Sequence, residues 1–174
     1  RNLILGSQDA SVLFFKHMTH HLNDLDWRFM SQTVSVILPR DTYEMLPSYA
    51  RQVAQPALHD VGYALHLKLL DYLHSIGQNP PVLDSKQTLL NPRGVLTKLC
   101  NQIGIPFDEA MLSWPAGARP EDGSWAQYWY HAVHRSTRFQ KYSRKEGEFP
   151  EYLRPLLAEC QPYYEKLSAL AIQA

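Results

Sequence analysis

Three groups of residues have types and spacings that could do chemistry. Lys16-His17 follows the apolar run Val12-Leu13-Phe14-Phe15. A lysine brings fixed positive charge to a developing anion, and a neighbouring histidine can take a proton near neutral pH. Arg40 and Ser48 lie eight residues apart, after the β-branched run Thr33-Val34-Ser35-Val36-Ile37-Leu38. A guanidinium fork, a hydroxyl and the free amides of a helix start make a phosphate site. In Gly123-Ser124-Trp125, glycine allows close backbone approach, and the indole either stacks on a base or packs in the core.

Each group also has a plainer explanation. Lys16 and His17 can simply cap a helix or bind water, and Arg40 can pair with Asp41 or Glu44 on the surface. His17, His20 and His21 have the i, i+3, i+4 spacing that could hold zinc. No HExxH pattern accompanies them, and His17 belongs to the end of the preceding run, so no metal is expected. His131 and His134 share a helix face, where a solvated or hydrogen-bonded role is the default. Arg135, Arg138, Lys141, Arg144 and Lys145 form a local basic stretch that is either a solvated face or an attractor of a phosphorylated ligand.

The elements that must position these groups alternate in type. Residues 12–16, 33–38 and 81–84 read as short strands, the second of them the clearest. Between and after them run helical patterns. One passes through Met45, Tyr49 and Val53 with Pro47 inside it, and another places Val61, Leu65, Leu69, Leu73 and Ile76 on one face before Gly77. The best punctuated has Asn91 as cap, Pro92 at the first position, an apolar stripe through Val95, Leu96, Leu99 and Ile103, and Gly104 as stop. A loop over 114–125 leads into an aromatic helix over about 125–137, and the tail from Glu151 to Ala171 is amphipathic. Strands separated by helices of this length predict βαβ units and a parallel sheet, hence an α/β layered domain. With three short strands and no phosphate-cradling glycine loop, that sheet reads as incomplete.

Composition fits one globular domain spanning residues 1–174. Of 174 residues, 45% are hydrophobic and 20% charged, a mixture that can bury a core. Seventeen Lys and Arg balance seventeen Asp and Glu, so the broad basic surplus of a duplex-binding protein is missing and no nucleic-acid partner is expected. No apolar stretch approaches a bilayer span. Cys100 and Cys160 are too few for a disulfide framework and sit at helical spacing among apolar residues. They read as buried free thiols of a reducing compartment, which places the protein in the cytoplasm.

Taken together, these segments resemble the P-loop sulfotransferase family, in particular its bacterial-type members, from about Val12 to Tyr164. Phe14-Phe15-Lys16-His17-Met18 is similar to the strand that carries the family's catalytic histidine beside a lysine. Val36-Ile37-Leu38-Pro39-Arg40-Asp41 with Pro47-Ser48-Tyr49 is similar to the strand-turn-helix that holds the sulfate donor's 3′-phosphate. Val82-Leu83-Asp84, Leu90-Asn91-Pro92-Arg93-Gly94-Val95-Leu96 and Gly104-Ile105-Pro106-Phe107 resemble the later strand, loop and helix, and Asp122-Gly123-Ser124-Trp125 the element that closes over the donor.

The resemblance implies a three-layer, P-loop NTPase-like fold with a parallel sheet flanked by helices. It also implies transfer of a sulfuryl group from 3′-phosphoadenosine 5′-phosphosulfate to a hydroxyl or amine of a small-molecule acceptor, without a metal. His17 would be the base, with His20 or His21 as alternatives, and Lys16 would offset charge on the bridging or leaving oxygen. Arg40 and Ser48 would grip the 3′-phosphate, helped by Gly123 and Trp125. The family's first strand and 5′-phosphosulfate loop have no counterpart before Val12. The resemblance therefore implies either the carboxyl-terminal part of a longer enzyme or a sulfotransferase-like remnant that cannot hold the donor's reactive end. The first is the favoured reading, because loss of a central strand would leave sheet edges unpaired. The alternative is a non-catalytic binding or interaction module on the same fold, distinguished by failure to bind adenosine 3′,5′-bisphosphate.

Overall fold

The computed structural model describes residues 2–6, 11–124, 126–144 and 147–174. Helices dominate it: α1 (Asn2–Leu5), α2 (Thr42–Tyr49), α3 (Leu58–Val61), α4 (Tyr63–Ser75), α5 (Ser85–Leu90), α6 (Pro92–Ile103), α7 (Ala126–Trp129), α8 (His131–Arg135) and α9 (Arg154–Ala169). Their ends follow local chemistry. The Asp41 carboxylate accepts the Glu44 amide at the start of α2, and Asn91 accepts the Gly94 amide at 3.0 Å at the start of α6. Gly104 closes α6 at φ 74°, a left-handed conformation that costs a side-chain-bearing residue. Pro92 and Pro155 sit in first turns, where a missing amide hydrogen costs nothing.

The main core lies between α2, α4 and α9. Leu46, Tyr63, Leu70, Leu156, Cys160, Tyr164 and Leu167 pack there with Ile37 and Val82. Leu83, Val95, Leu99 and Ile172 form a second cluster beneath α6, and Leu22, Met30, Leu69 and Leu73 a third beneath the turn Thr19–Leu22. Cys100 and Cys160 are buried free thiols, as the apolar spacing implied. Among the described residues no helix is long and apolar enough to cross a membrane.

The expected parallel sheet is not what forms. Among the described residues there is no β-strand, only isolated bridges: Ile37 with Val82 and Val82 with Ala171, both parallel, and Ser113 with Arg138, antiparallel. The Ile37 amide donates to Pro81 O at 3.0 Å, Leu83 N to Ile37 O at 2.8 Å, and Ile172 N to Val82 O at 2.9 Å. Ser85 N adds one more bond in this register, to Pro39 O at 3.2 Å, but Pro39, Pro80 and Pro81 carry no amide hydrogen and each leaves a gap, so no continuous ladder forms. Residues 12–16 form neither helix nor bridge among the described residues, and Phe14 is 85% exposed. The α/β, P-loop NTPase-like three-layer architecture is therefore replaced by a helical assembly laid around three short extended segments. The aromatic helix expected over 125–137 is likewise two short helices, α7 and α8, separated at Tyr130.

Candidate functional site

Arg40 stands where the Ile37-bearing segment gives way to α2. Pro39 beneath it is fully buried, and the Arg40 carbonyl accepts a 2.6 Å hydrogen bond from the phenol of buried Tyr63. Burial pushes the Tyr63 phenol well above its ordinary range, so it stays a donor. The backbone is pinned while the guanidinium remains exposed. It lines a cavity of about 280 Å³ together with Leu38, Glu44, Ser85, Lys86, Leu89 and Tyr142.

The charges in this cavity are organised. Tyr142 donates to Glu44 Oε1 at 2.5 Å, and this bond pushes the Tyr142 phenol up to about 12. The Lys86 ammonium lies 5.4 Å from the centre of the Tyr142 ring, within cation–π range. Arg40 and Lys86 thus share the cavity lining with a carboxylate, Glu44, that accepts a phenol. Lys86 follows Asp84, whose side chain is buried and accepts the amides of Lys86 at 2.8 Å and Gln87 at 3.0 Å, starting α5. Such a cavity can take an anion attached to a flat or apolar body.

Ser48 occupies the last turn of α2 rather than its opening, about 9 Å along the axis from Thr42 at 1.5 Å per residue, and does not line the Arg40 cavity. The Gly123 carbonyl accepts the Ala126 amide at 2.9 Å. Trp125 lies outside the described residues.

Lys16 and His17 sit on the exposed segment before the 3₁₀ turn Thr19–Leu22. The His17 ring stacks on Phe15 with centroids 6.3 Å apart. His20 and His21 meet edge to face at 4.6 Å. Partial burial, then the neighbouring His21, hold the His20 imidazole below its ordinary range, which favours the neutral, proton-accepting form. The i, i+3, i+4 histidines are on a 3₁₀ turn and its lead-in, not on an α-helix, and among the described residues no three metal-binding side chains converge.

The segment 114–142 joins these two regions, a link that sequence spacing does not reveal. Its middle carries Tyr130, whose phenolic oxygen accepts a 3.2 Å hydrogen bond from the Lys16 ammonium. The Trp129 ring lies 6.0 Å from that of Tyr49, the residue after Ser48. Its end supplies Phe139 and Tyr142 to the wall of the Arg40 cavity. Lys86, Tyr130, Phe139 and Tyr142 are the residues missed from the sequence. In the basic stretch Arg135, Arg138, Lys141 and Arg144 are all exposed, Arg144 lying 5.9 Å from the centre of the Tyr43 ring, and Lys145 is outside the described residues. His134 takes the hydrogen-bonded role, 2.8 Å from Asp122.

Comparison with known proteins supplies the class. Residues 2–171 match the family described as "Sulfotransferase domain", and the chain belongs to that family. It is 32% identical over 168 residues to "Branched-chain-amino-acid aminotransferase-like protein 2" of Arabidopsis thaliana, covering 96% of this chain and 30% of that protein. With "Branched-chain-amino-acid aminotransferase-like protein 1" of the same plant it shares 33% identity over 168 residues, with the same coverage of 96% and 30%. The chain therefore spans 30% of the length of these curated relatives. No solved structure matches it.

Proposed function

We propose that this chain forms the 3′-phosphate-binding and proton-accepting part of an enzyme that moves a sulfuryl group from 3′-phosphoadenosine 5′-phosphosulfate to a hydroxyl or amine of a small-molecule acceptor. The observation that carries this reading is the cavity in which Arg40 and Lys86 converge on aromatic and hydroxyl groups, in a chain of the sulfotransferase family. Arg40 binds the 3′-phosphate through a fork whose backbone is already fixed by Tyr63. Gly123 and Trp125 are the remaining candidates for the donor site in this reading, while Ser48, in the last turn of α2, lies off the Arg40 cavity.

The acceptor's proton goes to His17 as its oxygen or nitrogen attacks sulfur. The bond from sulfur to the bridging oxygen breaks, and Lys16 offsets the charge that builds on that oxygen. His20, whose partial burial and neighbouring His21 favour the neutral form, is the second candidate for the base. Both parts of the step call for a cation and a proton acceptor, the roles this reading gives to Lys16 and His17.

The test is sulfur-35 transfer from the labelled donor to a panel of hydroxyl and amine compounds by the full-length protein. His17→Ala abolishes transfer and leaves adenosine 3′,5′-bisphosphate binding intact. Undiminished transfer by this variant, with loss in His20→Ala, moves the base to His20. Absence of both transfer and nucleotide binding in the unaltered protein favours the non-catalytic module.

A further inference from the structure

The geometry points to Tyr130 as the positioning residue for Lys16, presented by a segment that the Asp122–His134 hydrogen bond helps to hold. This rests on the reading above that Lys16 offsets charge during transfer. Lys16 is an exposed side chain on a segment that forms neither helix nor bridge among the described residues. A lysine there carries about 2 kcal/mol of rotamer entropy and spends little time at any one point. Here, however, its ammonium donates to the Tyr130 phenolic oxygen at 3.2 Å, with the ring centre 5.0 Å away. The bond is made across 114 residues of sequence. A hydrogen bond to a phenol whose own backbone is held in place gives the charge a preferred direction.

The segment that brings Tyr130 is held at three levels. At its neck Trp114 N donates to Thr137 O at 2.9 Å and the Trp114 indole to Ser136 Oγ at 3.0 Å. Above that, Gly117 N donates to His134 O at 2.7 Å. Higher still, the Asp122 carboxylate accepts the Arg119 amide at 2.9 Å and lies 2.8 Å from His134 Nε2. The Arg119 amide and then the His134 ring hold the Asp122 carboxyl below the usual range, so it remains an acceptor and His134 Nε2 carries the proton. The His134 ring in turn meets Tyr130 edge-on, with centroids 5.9 Å apart and planes at 86°. A physical chain thus runs from Asp122 through His134 to Tyr130 and so to Lys16.

The experiment uses the full-length protein labelled with nitrogen-15 in its lysines and carbon-13 at tyrosine Cζ. The Lys16 ammonium resonance, assigned by its loss in Lys16→Met, is expected apart from those of solvated lysines and moves to their position in Tyr130→Phe. Because Lys16 is exposed, Lys16→Met gives a folded reciprocal measurement, in which the Tyr130 Cζ resonance shifts. Donor turnover falls about 10-fold or more in Tyr130→Phe with nucleotide affinity unchanged, as expected when a charge is misplaced by about 1 Å. An unmoved Lys16 resonance in Tyr130→Phe, or an unmoved Tyr130 resonance in Lys16→Met, overturns the inference. If both resonances move but Lys16→Met turns over donor normally, the contact stands and the catalytic assignment of Lys16 fails, taking the positioning role with it.

Discussion

Asp84→Ala should be among the most damaging single changes outside the apolar core. The carboxylate is 1% exposed, and three donors converge on it: the Lys86 and Gln87 amides on Oδ1 and the Tyr164 hydroxyl at 3.0 Å on Oδ2. Loss of the helix cap costs about 1 kcal/mol. Leaving the buried Tyr164 hydroxyl without its charged partner costs about 2 kcal/mol more. A total near 3 kcal/mol lowers Tm by roughly 6–12 °C for a chain of this size. Tyr164→Phe alone should cost about 2 kcal/mol, since it deprives a buried carboxylate of one donor. Urea unfolding of the two single variants and the double variant measures the coupling, expected at about 1–2 kcal/mol. A destabilisation below about 0.5 kcal/mol in Asp84→Ala, or strict additivity in the double variant, would refute the reasoning.

Two further outcomes follow from single residues. Burial pushes the His66 imidazole down to about 4 from its ordinary 6.5, and among the described residues its Nδ1 has no hydrogen-bond partner. The folded state therefore resists protonation that the unfolded chain accepts. This contribution is whole above pH 6.5 and is lost as pH falls towards 4, by on the order of 3 kcal/mol. His66→Leu should flatten that acid limb in denaturant titrations, and an unchanged slope would contradict the assignment. At Gly62, φ is +76° and an added Cβ would come within 2.1 Å of Thr19 Oγ1. Gly62→Ala should cost roughly 1–2 kcal/mol from backbone conformation alone. It should also displace the Thr19–Leu22 turn, seen as amide shifts there, whereas wild-type stability and shifts would refute the packing.

The helices were legible because their boundaries are written locally. Asn91, Pro92 and Gly104 delimit α6 without help from the rest of the chain, and Asp41 does the same for the start of α2. The sheet was misread because β-branched composition at 33–38 says nothing about the partner. Strand pairing needs amides on both sides, and Pro39 and Pro80-Pro81 remove them where the segments meet. Arg40 and Lys16 stood out by residue type and by family resemblance. Lys86 and Tyr142 did not, since their cavity is assembled from α5 and a distant loop. Nor did Tyr130, whose link to Lys16 crosses 114 positions and leaves no periodic trace.

The measurement that bears most directly on the account is calorimetric titration of adenosine 3′,5′-bisphosphate into the full-length protein and into its Arg40→Ala variant. A charged hydrogen-bond pair is worth about 1.5–3 kcal/mol, so the variant should bind about 10- to 100-fold more weakly. Equal affinity in the two proteins would contradict the assignment of Arg40 to the donor's 3′-phosphate.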